Sequence, residues 1–384
     1  MRLMSSAGVI VAVSAMPGMA RAAAWSFTGS GSLAAAYDDN ILFVADQPLA
    51  DSIGRAEFTA NLARVSDRSR WVVAPRLVAV EYDRYHTYSH SEQYLTLSNL
   101  SGGERAASNL SFNLTRDTTL TSELGLTGLA STNKRRQSSN LSWSPSLQAT
   151  QQWAYGAQLG ATAVRYADAA HTSLVDYNYG ALSLYTSYLP SPISKLTLQL
   201  SGGRLRVPDN GIYDNSNYAA TIGYERALGE RWRLSLSGGP SQIRGAAATA
   251  DRGEVYAASV ARQLEHNSFT LSISREVTPN GLGLLSRHEQ LTLGAQQALS
   301  ERLSFRLNGI WARTRNVAPG GGLQQFKLEY RDVVAALNWD CSPTWHLTVD
   351  LGHGQQAFDS AAATARRWHA SLGVGWSGLE RVLH

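Results

Sequence analysis

The chain has 384 residues, 43% of them apolar and only 17% charged, with 33 glycines and a single cysteine. This composition excludes an intrinsically disordered chain, a coiled coil and a small disulfide-stapled domain. The formal charge of +4, which falls to +2 if Arg2 and Arg21 leave with a leader, makes no electrostatic case for nucleic acid as a partner.

The first element in chain order is that leader. Arg2, an apolar run over 8–16 and the small residues Ala20 and Ala22 read as a secretory signal peptide over residues 1–22, with Ala24 as the other candidate cleavage point. Pro17-Gly18 would break a buried helix here, and the Ala-x-Ala end has no packing reason. Residues 23–384 then form one domain. No cysteine follows the leader closely, so a lipid anchor is not indicated, and Cys341 has no second cysteine to pair with. No apolar run of about eighteen residues follows either, so no transmembrane helix is expected.

Alternation follows instead. A first strand over 25–37 is succeeded by Leu110, Phe112 and Leu114 between Ser111, Asn113 and Thr115, and by Leu196, Leu198 and Leu200 between Thr197, Gln199 and Ser201. Trp232, Leu234 and Leu236 alternate with Arg233, Ser235 and Ser237; Phe269, Leu271 and Ile273 with Thr270, Ser272 and Ser274; Leu303, Phe305 and Leu307 with Ser304, Arg306 and Asn308. The last such series is Trp345, Leu347, Val349 and Leu351. Successive side chains of a strand point to opposite faces, so each segment has one oily and one wet side. Two segments resist a single phase. Over 326–339 the apolar positions start even and end odd, which points to a bulge near Arg331 and Asp332 or to a misplaced strand boundary, and 177–188 is ambiguous.

Short polar breaks near 66–69, 101–104, 150–152, 190–194, 229–231, 265–267, 300–301 and 340–344 alternate with longer ones near 38–52, 83–91, 117–138, 167–174, 208–214, 245–252, 278–285, 317–324 and 359–363. Eight short and nine longer connections imply eighteen strands, or sixteen if one hairpin is misplaced. The expected fold is all-β: a transmembrane antiparallel up-and-down barrel, with short periplasmic turns and longer extracellular loops. Trp71, Trp153, Trp232, Trp339, Trp345 and Trp376 sit beside short turns or near the C-terminus. That places them at one depth, as an aromatic girdle at a membrane interface requires.

On this reading the wet faces line a lumen. Arg76, Arg233, Arg306 and Arg367 project inward, either recognising anionic or hydroxyl-rich cargo or bracing the wall against acids such as Asp350 and Glu225. His346 with Asp350, and Arg367 with His369, share inward faces and are candidates for a site. No Gly-x-Ser-x-Gly elbow is present and no Ser, His and acid are grouped, so no enzyme is expected. His86 and His90 fall in a loop and are not expected to hold metal, and Gly320-Gly321-Gly322 lacks the following Lys and helix of a phosphate cradle. No cofactor is expected. Lys134, Arg135 and Arg136, in the longest connection, form a basic cluster facing the acidic sugars and phosphates of lipopolysaccharide, or else a solvated loop tip.

The first strand ends in Tyr37-Asp38-Asp39-Asn40 followed by Ile41-Leu42-Phe43. This motif near the mature N-terminus, with hairpins throughout, resembles the outer-membrane β-barrel porins encoded with exopolysaccharide and exosortase systems, the EpsL-like proteins. The resemblance implies a conduit for exopolysaccharide export in the outer membrane of a Gram-negative bacterium, with the polymer and periplasmic export components as partners. It also implies insertion by the barrel assembly machinery, which commonly reads a terminal aromatic. Here the chain runs on past Trp376 to His384, leaving Ala370, Leu372, Val374 and Trp376 to serve as that signal. A general small-solute porin is the alternative, followed by an outer-membrane enzyme such as a lipase and by a closed structural barrel.

Overall fold

The computed structural model describes residues 24–123, 133–169, 172–208, 214–245, 250–316, 327–359 and 364–383. The leader, residues 320–322 and the middle of the 117–138 connection lie outside the described residues.

Among these residues eighteen long strands form the wall. They are β1 (Ala24–Asp38), β2 (Asp51–Ser66), β3 (Ser69–Tyr82), β4 (His90–Gly102), β5 (Ala106–Thr118) and β6 (Arg135–Gln148). Next come β7 (Trp153–Tyr166), β8 (Tyr177–Ser191), β9 (Ser194–Arg206), β10 (Asn215–Leu228), β11 (Trp232–Gly245) and β12 (Ala250–Gln263). The wall is completed by β13 (Asn267–Pro279), β14 (Leu285–Ala298), β15 (Leu303–Asn316), β16 (Lys327–Asp340), β17 (Trp345–Phe358) and β18 (Ala365–Ser377). Each pairs antiparallel with the next, and β1 closes the ring on β18, with Ser30 opposite Ser377 and Asp38 opposite His369. After residues 378–380 the chain resumes as β19 (Arg381–Leu383), which pairs with Phe27, Ser26 and Trp25 one register step away from β18. The C-terminal extension thus lengthens the closing seam. Strands of 13 to 16 residues exceed the roughly 9 to 11 that a bilayer needs, so the wall rises beyond the apolar band.

Cross-strand partners share a face, and the ladders propagate one inward parity from strand to strand around the ring. Outward stand Leu196, Leu198 and Leu200 of β9, Ile222 of β10, and Trp232 and Leu236 of β11, all exposed on the isolated barrel. Inward stand Arg233, Ser235 and Ser237. An apolar outside around a ring of satisfied backbone groups is the arrangement by which strands cross a membrane.

Both irregular segments resolve into single phases. From Leu328 opposite Phe358 to Asp340 opposite His346 the register between β16 and β17 never shifts, so the expected bulge near Arg331 and Asp332 does not exist. Leu328 and Tyr330 face inward all along. Leu328 is buried, and Phe43, from the β1–β2 connection, packs edge-on against Tyr330 with ring centroids 5.9 Å apart. In β8, Tyr177, Tyr179 and Tyr185 face inward while Leu182, Leu184 and Tyr188 face outward; the irregularity lies between Tyr188 and Ser191.

Four elements fold into the mouth at the end with the longer connections. Ile41 and Leu42 pack on the inner side of β3, against Val78, Val80 and Tyr82. Leu120, from the one-turn helix α1 (Thr119–Ser122), joins them. Leu174 and Val175, from the β7–β8 connection, pack with Tyr166, Leu205 and Ile243. The fourth element is the end of the β13–β14 hairpin. Pairing of β13 to β12 stops at Tyr256 opposite Arg275, although both strands continue. The hairpin stays bonded to β15 up to Ser286 opposite Asn316, so it bends inside β12 and the wall overlaps itself like a lapped joint. Leu285, on the parity that faces outward lower down, is consequently buried in the cluster with Ile243 and Leu205.

Candidate functional site

The site is the lumen and its roofed mouth. Low in the barrel the inward face is hydroxyl- and amide-rich because that face meets water. The groups cross-link neighbouring strands: Thr96 donates to Asn113 (2.8 Å), Thr162 to Asn140 (2.7 Å) and Thr348 to Asn338 (3.0 Å). Several inward glycines lie beneath rings. Tyr185 covers Gly156, Tyr179 covers Gly203, His369 covers Gly352 and His346 covers Gly375, each ring occupying the place a Cβ would take. Such pairs fill the wall without blocking the strand ladder.

The mouth is held by buried polar groups. Glu92 accepts from the Tyr94 hydroxyl at 2.9 Å and from Thr121 at 2.5 Å, joining the wall to the α1 segment. Asp51 accepts from the backbone N–H groups of Arg84 and Tyr85 at 3.0 and 2.9 Å. Asn280, at the hairpin tip, donates to Asn316 (2.7 Å) and accepts from the Leu282 N–H (3.0 Å). Gly283 adopts φ +69°, a conformation that glycine takes without strain. The tip reaches across the mouth, and the Val175 N–H donates to the Gly281 carbonyl at 2.8 Å. Arg287 locks the lapped joint: its guanidinium donates to Asp251 Oδ2 and to Ser241 Oγ, each at 2.8 Å, and the side chain is 2% exposed.

The sequence-derived candidates are distributed over this frame. Arg76 faces inward and is bidentate to Glu57 at 2.7 and 2.9 Å. Arg367 faces inward, lies over the Phe43 ring, and reaches Asp38 (3.8 Å) and Asp332 (3.6 Å), so it braces β18 to β1 and β16. Pairing of the arginines with Asp350 and Glu225 does not occur: Asp350 accepts from Ser371 at 2.8 Å, and Glu225 is met by Lys195 at 3.3 Å. Arg233 and Arg306 face inward nearer the short-turn end, with no acidic partner among the described residues. His346 and Asp350 share the inner face of β17, and Arg367 and His369 that of β18, but the two histidine rings cover glycines instead of meeting a common point. His86 lies in a short turn before β4, and His90 approaches Glu92 at 3.3 Å.

The basic cluster is not a loop tip. Arg135 and Arg136 begin β6, and the three side chains diverge. Arg136 turns inward to Asp117 at 3.2 Å, Lys134 is tied to Asp168 at 3.2 Å, and Arg135 is exposed on the outer parity. The six tryptophans occupy the outer face at the short-turn end, with Trp345 directly opposite Trp376 and the Trp153 ring tilted 38° against Tyr188 at a centroid distance of 4.9 Å. Arg287, Asn280 and Phe43 were not legible as functional. The available signal was small: Leu284-Leu285 and Arg287 are an apolar pair and a charge within a stretch that reads as a polar loop.

No family model matches the sequence, and no curated protein matches it. Solved outer-membrane proteins do resemble the fold at low identity. OpdK of Pseudomonas aeruginosa with vanillate aligns at 10% identity and a TM-score of 0.47, over 92% of this chain and 99% of that one. OccAB4 of Acinetobacter baumannii aligns at 10% and 0.47, over 95% and 100%. Pseudomonas aeruginosa OccK2 (OpdF) in complex with glucuronate aligns at 10% and 0.49, over 93% and 98%.

Proposed function

We propose that the chain is a channel for small polar solutes in the outer membrane of a Gram-negative bacterium. The observation that carries this reading is a polar lumen beneath a mouth across which the β13–β14 hairpin, the β7–β8 connection and residues 40–44 are packed. An eighteen-stranded ring is wide enough for an aqueous channel, and inward-folded segments reduce its aperture to a size that selects small molecules. Polysaccharide export, the role implied by the resemblance, has weaker support, because a polymer must thread the mouth continuously. The outward tryptophans set the barrel at the periplasmic interface, and the β18 series ending in Trp376, together with the β19 extension, is what the assembly machinery would read.

Liposomes containing the purified barrel should swell in monosaccharide or amino-acid solutions and resist longer oligosaccharides. Deleting the gene should leave surface polysaccharide unchanged. Passage of long oligosaccharides together with loss of surface polysaccharide would overturn this reading in favour of export.

A further inference from the structure

We propose that the outer rim of β5–β11 binds a phosphorylated lipid of the outer leaflet, its phosphates held by a row of arginines and its acyl chains lying in a groove directly below. The proposal rests on the reading that the barrel spans an outer membrane with its longer connections outside. The arginines all stand on the outward parity at the upper strand ends. Gln137 of β6 lies opposite both Arg116 of β5 and Arg165 of β7. Ser216 of β10 lies opposite both Arg204 of β9 and Arg244 of β11. Neighbouring strands are about 4.8 Å apart, so each polar residue has two guanidinium stems about 10 Å from each other, a spacing that long side chains close around one anion. Asn178, opposite Arg206 and hydrogen-bonded by Arg165 at 2.8 Å, links the two groups into one row.

Acids neutralise this row only in part. Asp176 is 3.9 Å from Arg165 and Asp214 is 3.6 Å from Arg204, while Arg116, Arg206 and Arg244 have no acidic partner among the described residues. On the opposite arc Arg275 pairs with Glu254 and Arg331 with Glu329, both at 2.5 Å, and the exposed outward Arg252 and Arg366 stand singly, not in a row. Beneath Arg204 lies an outward groove of 750 Å³, walled by Leu141, Trp143 and Tyr218 and floored by Ala161, Gly180 and Gly202. A comparable outward groove beside β1 runs up to Glu81 and Asp83 instead of arginine. Cations above an apolar groove match the two halves of a phosphorylated lipid, and charge-assisted hydrogen bonds from guanidinium to phosphate are strong where water is scarce.

The test is native mass spectrometry of the full-length barrel in detergent with three probes: bis-phosphorylated lipid A, its dephosphorylated form and inorganic phosphate. Wild type should retain one lipid A and bind the dephosphorylated lipid at least about tenfold more weakly. R165Q/R204Q/R206Q/R244Q should lose lipid A by a similar factor, whereas R275Q/R331Q should not. G180L should weaken lipid A severalfold without harming the fold, because a Cβ at Gly180 meets nothing within 4 Å. Equal binding of the dephosphorylated lipid by wild type overturns the proposal without needing any variant. Displacement of lipid A by millimolar inorganic phosphate overturns it in favour of a free-anion site. Heat-modifiable migration and liposome swelling report the barrel and channel independently, so a failure of the membrane reading is distinguished from a failure of this site.

Discussion

At Arg287 a single guanidinium joins two layers of the wall, bonded to Asp251 and Ser241 with its side chain almost wholly buried. Asp251 is 30% exposed and keeps Arg315 at 3.9 Å, so losing the Arg287 guanidinium costs less than the roughly 3–5 kcal/mol of breaking a fully buried pair, while Ser241 loses its donor. Arg287→Gln should therefore loosen the β13–β14 hairpin and raise single-channel conductance in planar bilayers, while the barrel remains heat-modifiable. Unchanged conductance would mean that the apolar contacts of Leu285 hold the hairpin alone. Leu236 and Ser237 give a second single-residue comparison, since they are adjacent in sequence but face lipid and lumen. Leu236→Arg should destabilise the barrel by about 2–4 kcal/mol in denaturant titrations in vesicles, and Ser237→Arg by far less. Equal costs would contradict the alternation on which the wall is built.

At the scale of the element, most strands obey the period of two, and the departures have local causes. The phase change over 326–339 is one of polarity and not of backbone: Tyr330 is inward and packs against Phe43. Between β10 and β11 the ladder opens at Gly239, where a Cβ would lie 1.8 Å from the Ala220 carbonyl oxygen. Only glycine lets the two backbones approach this closely. Gly239→Val should accordingly reduce the heat-modifiable, folded band on gels, whereas Gly180→Val, with open space around its Cβ, should leave the band intact. Loss of the folded band in both would show that bulk anywhere on these strands, and not close approach, is the problem.

For the whole molecule, short turns at one end and longer connections at the other define an orientation, and the native thiol reports it. Cys341 is exposed in the turn between β16 and β17, at the end expected to face the periplasm. A membrane-impermeant maleimide should leave it unlabelled on intact cells and label it once the outer membrane is breached. In a Cys341→Ser background, Gln47→Cys, exposed in the β1–β2 connection, should show the reverse. Swapped labelling would invert the barrel, and the lipid-binding rim proposed above would then face the wrong leaflet.

The number of strands, the positions of their turns and the faces of Trp232, Leu236, Arg76 and Arg367 were legible in the sequence. Each depends only on local alternation and on turn residues a few positions away. Which groups meet across the barrel was not. Asn40 donates to the Arg366 carbonyl 326 residues away, Arg367 reaches Asp38 and Asp332, and Lys195, not an arginine, meets Glu225. Such partners follow from ring closure and inter-strand register, which no window of sequence contains. The inward fold of the β13–β14 hairpin is the clearest case. Residues 278–285 read as an exposed loop, yet Leu285 and Asn280 are buried, because β13 leaves β12 at Arg275 and the hairpin finds apolar partners on β9 and β11. Local pattern determined a barrel with a wet interior; tertiary packing alone decided how much of that interior stays open, since the mouth is shaped by contacts between segments that are neighbours only once the ring has closed.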